Sequence, residues 1–169
     1  TNKVVWIDED ESADQYTAWP VWAPESKELF YQVLNRDQND LQILSANPET
    51  GKNRLVYQEK NNTWVEFFED IHILKNNKGF ILRSELDGWR HLYYYDMNGK
   101  LKKQLTKGEW NVSDIKLVDE ENERLYFEAN KGERLETHLF VVDFDGDDIE
   151  QITNIPGTHK VSVSTNGKY

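Results

Sequence analysis

The chain reads as all-β: a partial β-propeller of about three four-stranded antiparallel blades, with a stray strand at each end. Three observations predict this. A segment recurs about every 47 residues, the period of a propeller blade. Its copies end at Gly51 (Leu-Gln-Ile-Leu-Ser-Ala-Asn-Pro-Glu-Thr-Gly), Gly99 (His-Leu-Tyr-Tyr-Tyr-Asp-Met-Asn-Gly) and Gly146 (His-Leu-Phe-Val-Val-Asp-Phe-Asp-Gly). Apolar residues alternate or run in fours and fives between Asn, Asp and Gly, as strands do, and helical periodicity is nearly absent. Turn residues recur at equivalent places in successive copies.

Aligned copies place the elements in order. The first blade (about 16–60) has strands at 16–23, 29–34, 41–46 and 54–58, with Pro-Glu-Ser-Lys at 24–27 as its first turn. The second (61–108) has strands at 66–74, 80–85, 91–96 and 102–105. The third (109–155) has strands at 112–118, 125–129, 138–143 and 150–153. Asn-Asn-Lys-Gly at 76–79, Asp-Glu-Glu-Asn at 119–122 and Ser-Thr-Asn-Gly at 164–167 each join a first strand to a second. Asp-Met-Asn-Gly and Asp-Phe-Asp-Gly close third-to-fourth hairpins, where Gly tolerates positive φ and Asp or Asn bonds nearby backbone. Residues 1–10 and 159–169 belong to incomplete neighbouring blades: Val4–Ile7 reads as a last strand and Val161–Ser164 as a first. A propeller closes with about four to eight blades, so three predict a fragment, cut within blades and made rather than natural.

Composition narrows the function. Lys plus Arg number 20 against 31 Asp plus Glu, a net charge of −11, which argues against phosphate-backbone binding. No apolar run reaches the ~20 residues of a membrane helix. Thr-Asn-Lys leads into Val-Val-Trp-Ile at 4–7, and no leader pattern is read there. Zero cysteines exclude disulfides, thiol catalysis and Cys-ligated zinc.

Several sharper features have ordinary readings. Asp-Phe-Asp-Gly-Asp-Asp at 143–148 has the acidic spacing of a calcium loop, but position twelve is Asn154 rather than Glu, and strands flank it. His91 and His138 open third strands in successive blades, which fits a structural role; with His72 and His159 they form no ligand spacing, and no metal or cofactor is expected. Trp19, Trp22, Trp64, Trp89 and Trp110 could form a stacking surface, but packing is the simpler reading, with Trp89 and Trp110 wedging blades together.

Residues 84–112, Ser-Glu-Leu-Asp-Gly-Trp-Arg-His-Leu-Tyr through Gln-Leu-Thr-Lys-Gly-Glu-Trp-Asn-Val, are more specific than a generic blade. They resemble the propeller of the dipeptidyl peptidase IV family, a branch of the prolyl oligopeptidase serine peptidases. Val-Leu-Asn-Arg-Asp-Gln-Asn at 33–39, Thr-Trp-Val at 63–65 and His-Lys-Val-Ser-Val-Ser-Thr-Asn-Gly-Lys-Tyr at 159–169 extend the resemblance over essentially the whole chain.

The resemblance implies an eight-bladed propeller capping an α/β-hydrolase domain that releases N-terminal dipeptides with Pro or Ala second. That chemistry needs a Ser on a Gly-Xxx-Ser-Xxx-Gly elbow, a His base and an Asp. No such elbow occurs here, so no catalytic residue is expected in this chain. The family's paired glutamates for the substrate amine lie in an Asp-Trp-Xxx-Tyr-Glu-Glu segment, also absent; Asp-Glu-Glu at 119–121 falls in a turn of a different blade. By resemblance, the residues after Trp64–Val65 reach toward the cleft. Phe68 falls at an aromatic of the substrate wall, and Glu69 where some relatives carry Arg. Alternatively, Phe67 and Phe68 open a core strand.

The expected role is therefore non-catalytic: gating and positioning peptides for a full-length enzyme through the hydrolase domain. A stand-alone protein- or glycan-binding propeller, and a peptidase relative without its triad, remain alternatives. Open blade edges predict self-association. Plentiful Asn, Lys and Ile suggest a bacterial source, and the resemblance implies an exported or periplasmic parent. The acidic balance and the lack of a membrane-length apolar run lead us to expect neither nucleic acid nor membrane as partner.

Overall fold

The computed structural model describes residues 3–165 and 167. Among the described residues, twelve strands form three antiparallel four-stranded meanders, in sheet orders β1-β2-β3-β4, β5-β6-β7-β8 and β9-β10-β11-β12. The strands are β1 Gln15–Trp22, β2 Leu29–Asn35, β3 Asp40–Ala46, β4 Asn53–Lys60, β5 His72–Ile73, β6 Phe80–Ser84, β7 His91–Tyr95, β8 Leu101–Gln104, β9 Val112–Asp119, β10 Arg124–Ala129, β11 His138–Asp143 and β12 Ile149–Gln151. Residues 24–26 and 75–77 form short 3-10 turns.

The chain divides into two units. The first comprises residues 1–69, 75–78 and 97–99, and contains the β1–β4 sheet. In β2 five consecutive residues are buried, so both faces of this strand are covered and the sequence shows an apolar run rather than alternation. Phe30, Leu41 and Ile43 are wholly buried, while Tyr31, Val33 and Ala46 form a cluster joined by Ile7 and Leu44. Strand β1 bulges between Ala18 and Val21. Trp19 there adopts φ 53, and Pro20 is tolerated because an edge strand does not need its missing N–H.

The second unit holds the other two sheets around one apolar core. Leu74, Ile81, Leu92, Leu105 and Trp110 meet Ile115, Leu125 and Phe127 in a single buried cluster. An aromatic ladder runs through it: Trp110 stacks on Phe127 at 6.3 Å, and Phe127 on Phe140 at 5.7 Å. Trp110 therefore joins two blades, as its place in the repeat suggested.

The recurring hairpin glycines have a geometric reason. Gly51 and Gly99 have φ of 77° and 80°. A Cβ would overlap the Trp6 carbonyl oxygen at Gly51 and the Val56 carbonyl oxygen at Gly99. Each turn thus rests on backbone more than forty residues earlier in sequence, and no other residue fits. Gly146 occupies the equivalent turn against Gln104 and Leu105, with more room.

Three expectations need correction. The strand predicted over 66–74 is only His72–Ile73, because side-chain and loop groups outside any ladder satisfy the backbone at Val65 and Phe68. Residues 4–7 form no strand; the adjoining Asp8 N–H donates to the Gly51 carbonyl instead. Residues 161–164 form none either, and the Val161 N–H donates to the Glu128 carboxylate at 2.6 Å. In the turn predicted at 164–167, Asn166 lies outside the described residues, as do Lys168 and Tyr169.

Candidate functional site

Between β4 and β5 the chain runs for eleven residues without a ladder. Three contacts within the first unit fix its path. Asn61 N–H donates to Asn39 O at 3.0 Å, and Val65 N–H to Gln38 O at 2.8 Å. At Phe68 the partner is a side chain: the N–H donates to Gln32 Oε1 at 2.8 Å, and Gln32 Nε2 donates back to Phe68 O at 2.7 Å. Gln32 is fully buried in the middle of β2, where an unpaired amide would be costly. Both its polar ends are used.

Phe68 is buried, with its ring edge-on to Tyr57 at 5.8 Å. The Tyr57 hydroxyl donates to Glu59 Oε2 at 2.7 Å, so an ionisable carboxylate lies beneath the segment. Trp64, in contrast, is 53% exposed, and Glu66 and Glu69 are exposed. Of the three residues singled out in the sequence, Phe68 anchors the segment while Trp64 and Glu69 face outward. Gln32 is the residue that sequence reasoning missed. The available signal was an amide in the otherwise apolar run Leu-Phe-Tyr-Gln-Val-Leu.

The other candidates are tied into packing. His91 is wholly buried and edge-on to Trp110 at 4.8 Å. Its Nε2 is 2.9 Å from the Gly108 carbonyl and its Nδ1 3.0 Å from Thr106 Oγ1. Because a carbonyl only accepts, Nε2 carries the proton and the threonine hydroxyl donates to Nδ1. His138 repeats the pattern with Thr153 at 3.2 Å and Glu136 at 2.9 Å. His159 lies beside it, bonded to the Ile155 carbonyl. Trp19 and Trp22 are about half exposed and Trp89 is partly buried. Among the described residues no group of three or more His, Cys, Asp or Glu converges as metal ligands would. No helix among them is long and apolar enough to cross a membrane.

Charged side chains of β6, β9 and β10 in the second unit are paired, one of them with Asp70 just before β5. Arg83 pairs with Asp70 at 2.9 Å and donates to the Ser113 carbonyl. Lys116 contacts Asp114 at 2.6 Å and Glu128 at 3.2 Å. Burial disfavours the Lys116 charge, but these two carboxylates outweigh it and raise the ammonium pKa above its ordinary value. Burial lowers the His72 pKa, against partial opposition from Asp70 and Asp114.

Four-stranded meanders at a fixed period, with third-to-fourth hairpin glycines seated on earlier backbone, define a β-propeller region. The full chain, residues 1–169, matches the Dipeptidyl peptidase IV (DPP IV) N-terminal region. It belongs to that family. Dipeptidyl peptidase 4 of Trichophyton rubrum is 29% identical over 120 residues, covering 68% of this chain and 15% of that protein. Dipeptidyl peptidase 4 of Trichophyton equinum is 27% identical over 129 residues, covering 73% and 16%. The crystal structure of Porphyromonas gingivalis dipeptidyl peptidase 4 superposes with a TM-score of 0.85 at 23% identity, over 95% of this chain and 23% of that one. A Bacteroides ovatus structure, provisionally assigned as a dipeptidyl aminopeptidase IV, gives 0.83 at 28% identity, over 96% and 26%. The chain thus spans less than a third of the length of each of these proteins.

Proposed function

We propose that this chain is the non-catalytic propeller portion of a serine exopeptidase that removes N-terminal Xaa-Pro and Xaa-Ala dipeptides. Its role there is to gate access and position the peptide. The observation that carries the reading is the family match over all 169 residues, together with relatives named dipeptidyl peptidase 4. The described histidines with hydrogen-bond partners meet threonines, a carboxylate and carbonyls rather than a serine. Hydrolysis is proposed to lie in sequence outside this chain, because residues 1–169 hold no Gly-Xxx-Ser-Xxx-Gly elbow.

Trp64, Phe68 and Glu69 form the proposed substrate wall. Trp64 supplies an exposed aromatic face, Glu69 a negative charge suited to a cationic peptide group, and Phe68 the anchor between them. The parent is proposed to be exported, a reading that rests on membership of the dipeptidyl peptidase IV family. The test is cleavage of a Gly-Pro chromogenic substrate and of longer Xaa-Pro peptides by the protein that carries this chain. Trp64→Ala and Glu69→Ala should raise KM severalfold for the longer peptides and leave kcat nearly unchanged, the signature of lost uniform binding. No cleavage by the intact protein, or unaltered KM in both variants, would overturn the proposal.

A further inference from the structure

We infer that Gln32 is the positioning residue for the segment from Trp64 to Glu69. Its buried amide takes the place of a neighbouring strand and sets where that wall stands. The inference rests on the reading of this segment as a substrate wall, but its structural half can be measured separately.

Regular ladders hold most of this fold, and backbone bonds at Asn61 and Val65 hold the start of the segment. At Phe68 both backbone groups bond to one side chain, through the 2.8 Å and 2.7 Å contacts to Gln32. A primary amide can accept from an N–H and donate to a C=O of the same residue while remaining neutral at any pH the fold survives. Gln32 itself cannot shift: β2 holds it between Ala18 of β1 and Ile43 of β3 in the ladder. The rigid sheet thus dictates the position of Phe68, and through it those of Trp64 and Glu69 within a few residues on either side.

The same register position serves a similar purpose in the other two sheets. Gln32 lies opposite Ile43, Arg83 opposite Leu92 and Glu128 opposite Leu139. Each reaches forward about thirty residues or more to backbone: Gln32 to both groups of Phe68, Arg83 to the Ser113 carbonyl, and Glu128 to the Val161 N–H. The side-chain chemistry matches the group met in each case. An amide meets a donor and an acceptor, a guanidinium meets an acceptor, and a carboxylate meets a donor. Such matching distinguishes a built clasp from an incidental contact.

The experiment is hydrogen exchange, expressed as protection factors, on the full-length protein carrying Gln32→Glu or Gln32→Met. Gln32→Met removes both bonds and should lower protection over residues 65–70 by about tenfold, leaving β11 unchanged. Gln32→Glu carries its own internal rescue. A protonated carboxyl copies the amide's donor and acceptor, whereas a carboxylate turns an acceptor toward the Phe68 carbonyl. Burial raises the pKa of the introduced acid, so protection should approach wild type at about pH 5 and fall at about pH 8. Wild type, run in parallel, controls for the neighbouring ionisable side chains of Glu59 and Tyr57. KM for Xaa-Pro peptides should follow the same pH course in Gln32→Glu, with kcat little changed. Protection that does not vary with pH in Gln32→Glu, or an equal loss in β11, overturns the positioning role. Protection that changes while KM does not upholds Gln32 as the clasp and overturns the substrate wall.

Discussion

Replacing Thr106 with valine should unravel β7 locally, at a cost that can be worked from the contacts. The Thr106 hydroxyl has two partners, both buried: it donates to His91 Nδ1 at 3.0 Å and accepts the Leu92 N–H at 2.9 Å. Valine keeps the shape and loses both bonds. His91 and Thr106 are 0% and 1% exposed, so water does not reach the orphaned groups. Each unsatisfied group costs about 1–3 kcal/mol, and the added methyl returns a fraction of this, leaving a net loss of about 2–4 kcal/mol. Native-state hydrogen exchange at the β7 amides should therefore accelerate by about thirtyfold to a thousandfold, at about 1.4 kcal/mol per decade. Thr106→Ser, which keeps the hydroxyl, should lose much less. Thr153→Val should also cost less, because the partner of His138 Nε2 is a Glu136 side chain that is 27% exposed. An acceleration below about threefold for Thr106→Val, or equal effects for valine and serine, would refute the reasoning.

Two further outcomes follow from the same structure. Gly99→Ala places a Cβ on the Val56 carbonyl at φ 80°, whereas Gly88→Ala at φ 90° meets nothing within 4 Å. Gly88→Ala should then cost only the left-handed penalty of about 1–2 kcal/mol and Gly99→Ala clearly more, so equal shifts in denaturation midpoint would show that the contact is unimportant. The lowered His72 pKa means that the unfolded chain takes up a proton first as pH falls below the ordinary value of 6.5. The stability associated with neutral His72 is present above that value and is lost as pH falls toward the depressed folded value. His72→Asn should flatten that part of the urea stability curve, and parallel curves for variant and wild type would contradict the assignment.

Much of the architecture was legible because it is written in residues with few substitutes. Gly51 and Gly99 recur because their turns sit on earlier backbone at positive φ, and the sequence shows the same letter each time. His91 with Thr106 and His138 with Thr153 recur for a similar reason, a fixed pairing between the start of the third strand and the residues just after the fourth. The first strand of the second sheet was overestimated because Phe-Phe and Ile-His-Ile look like strand to any local rule. Phe67, Phe68 and Ile71 supply apolar positions between acidic ones, yet the nearby backbone is satisfied at Val65 by Gln38 and at Phe68 by Gln32, contacts spanning 27 and 36 residues that no local pattern reports.

The candidate site was half legible for a related reason. Trp64, Phe68 and Glu69 could be named because a family motif carries them, but the motif could not say which of the three is buried. The clasp left no repeat signal because Gln32, Arg83 and Glu128 are different residue types at one register position. A backbone that must be held by its carbonyl selects a donor, one held by its N–H selects an acceptor, and one held by both selects an amide. Conserved function at that position therefore appears in the sequence as variation. In each sheet the glycine turn reaches back along the chain and the second-strand polar side chain reaches forward. The backward contact depends on having no side chain, so it repeats visibly. The forward contact depends on a side chain fitted to what it meets, so its repetition becomes visible only once the partners are known.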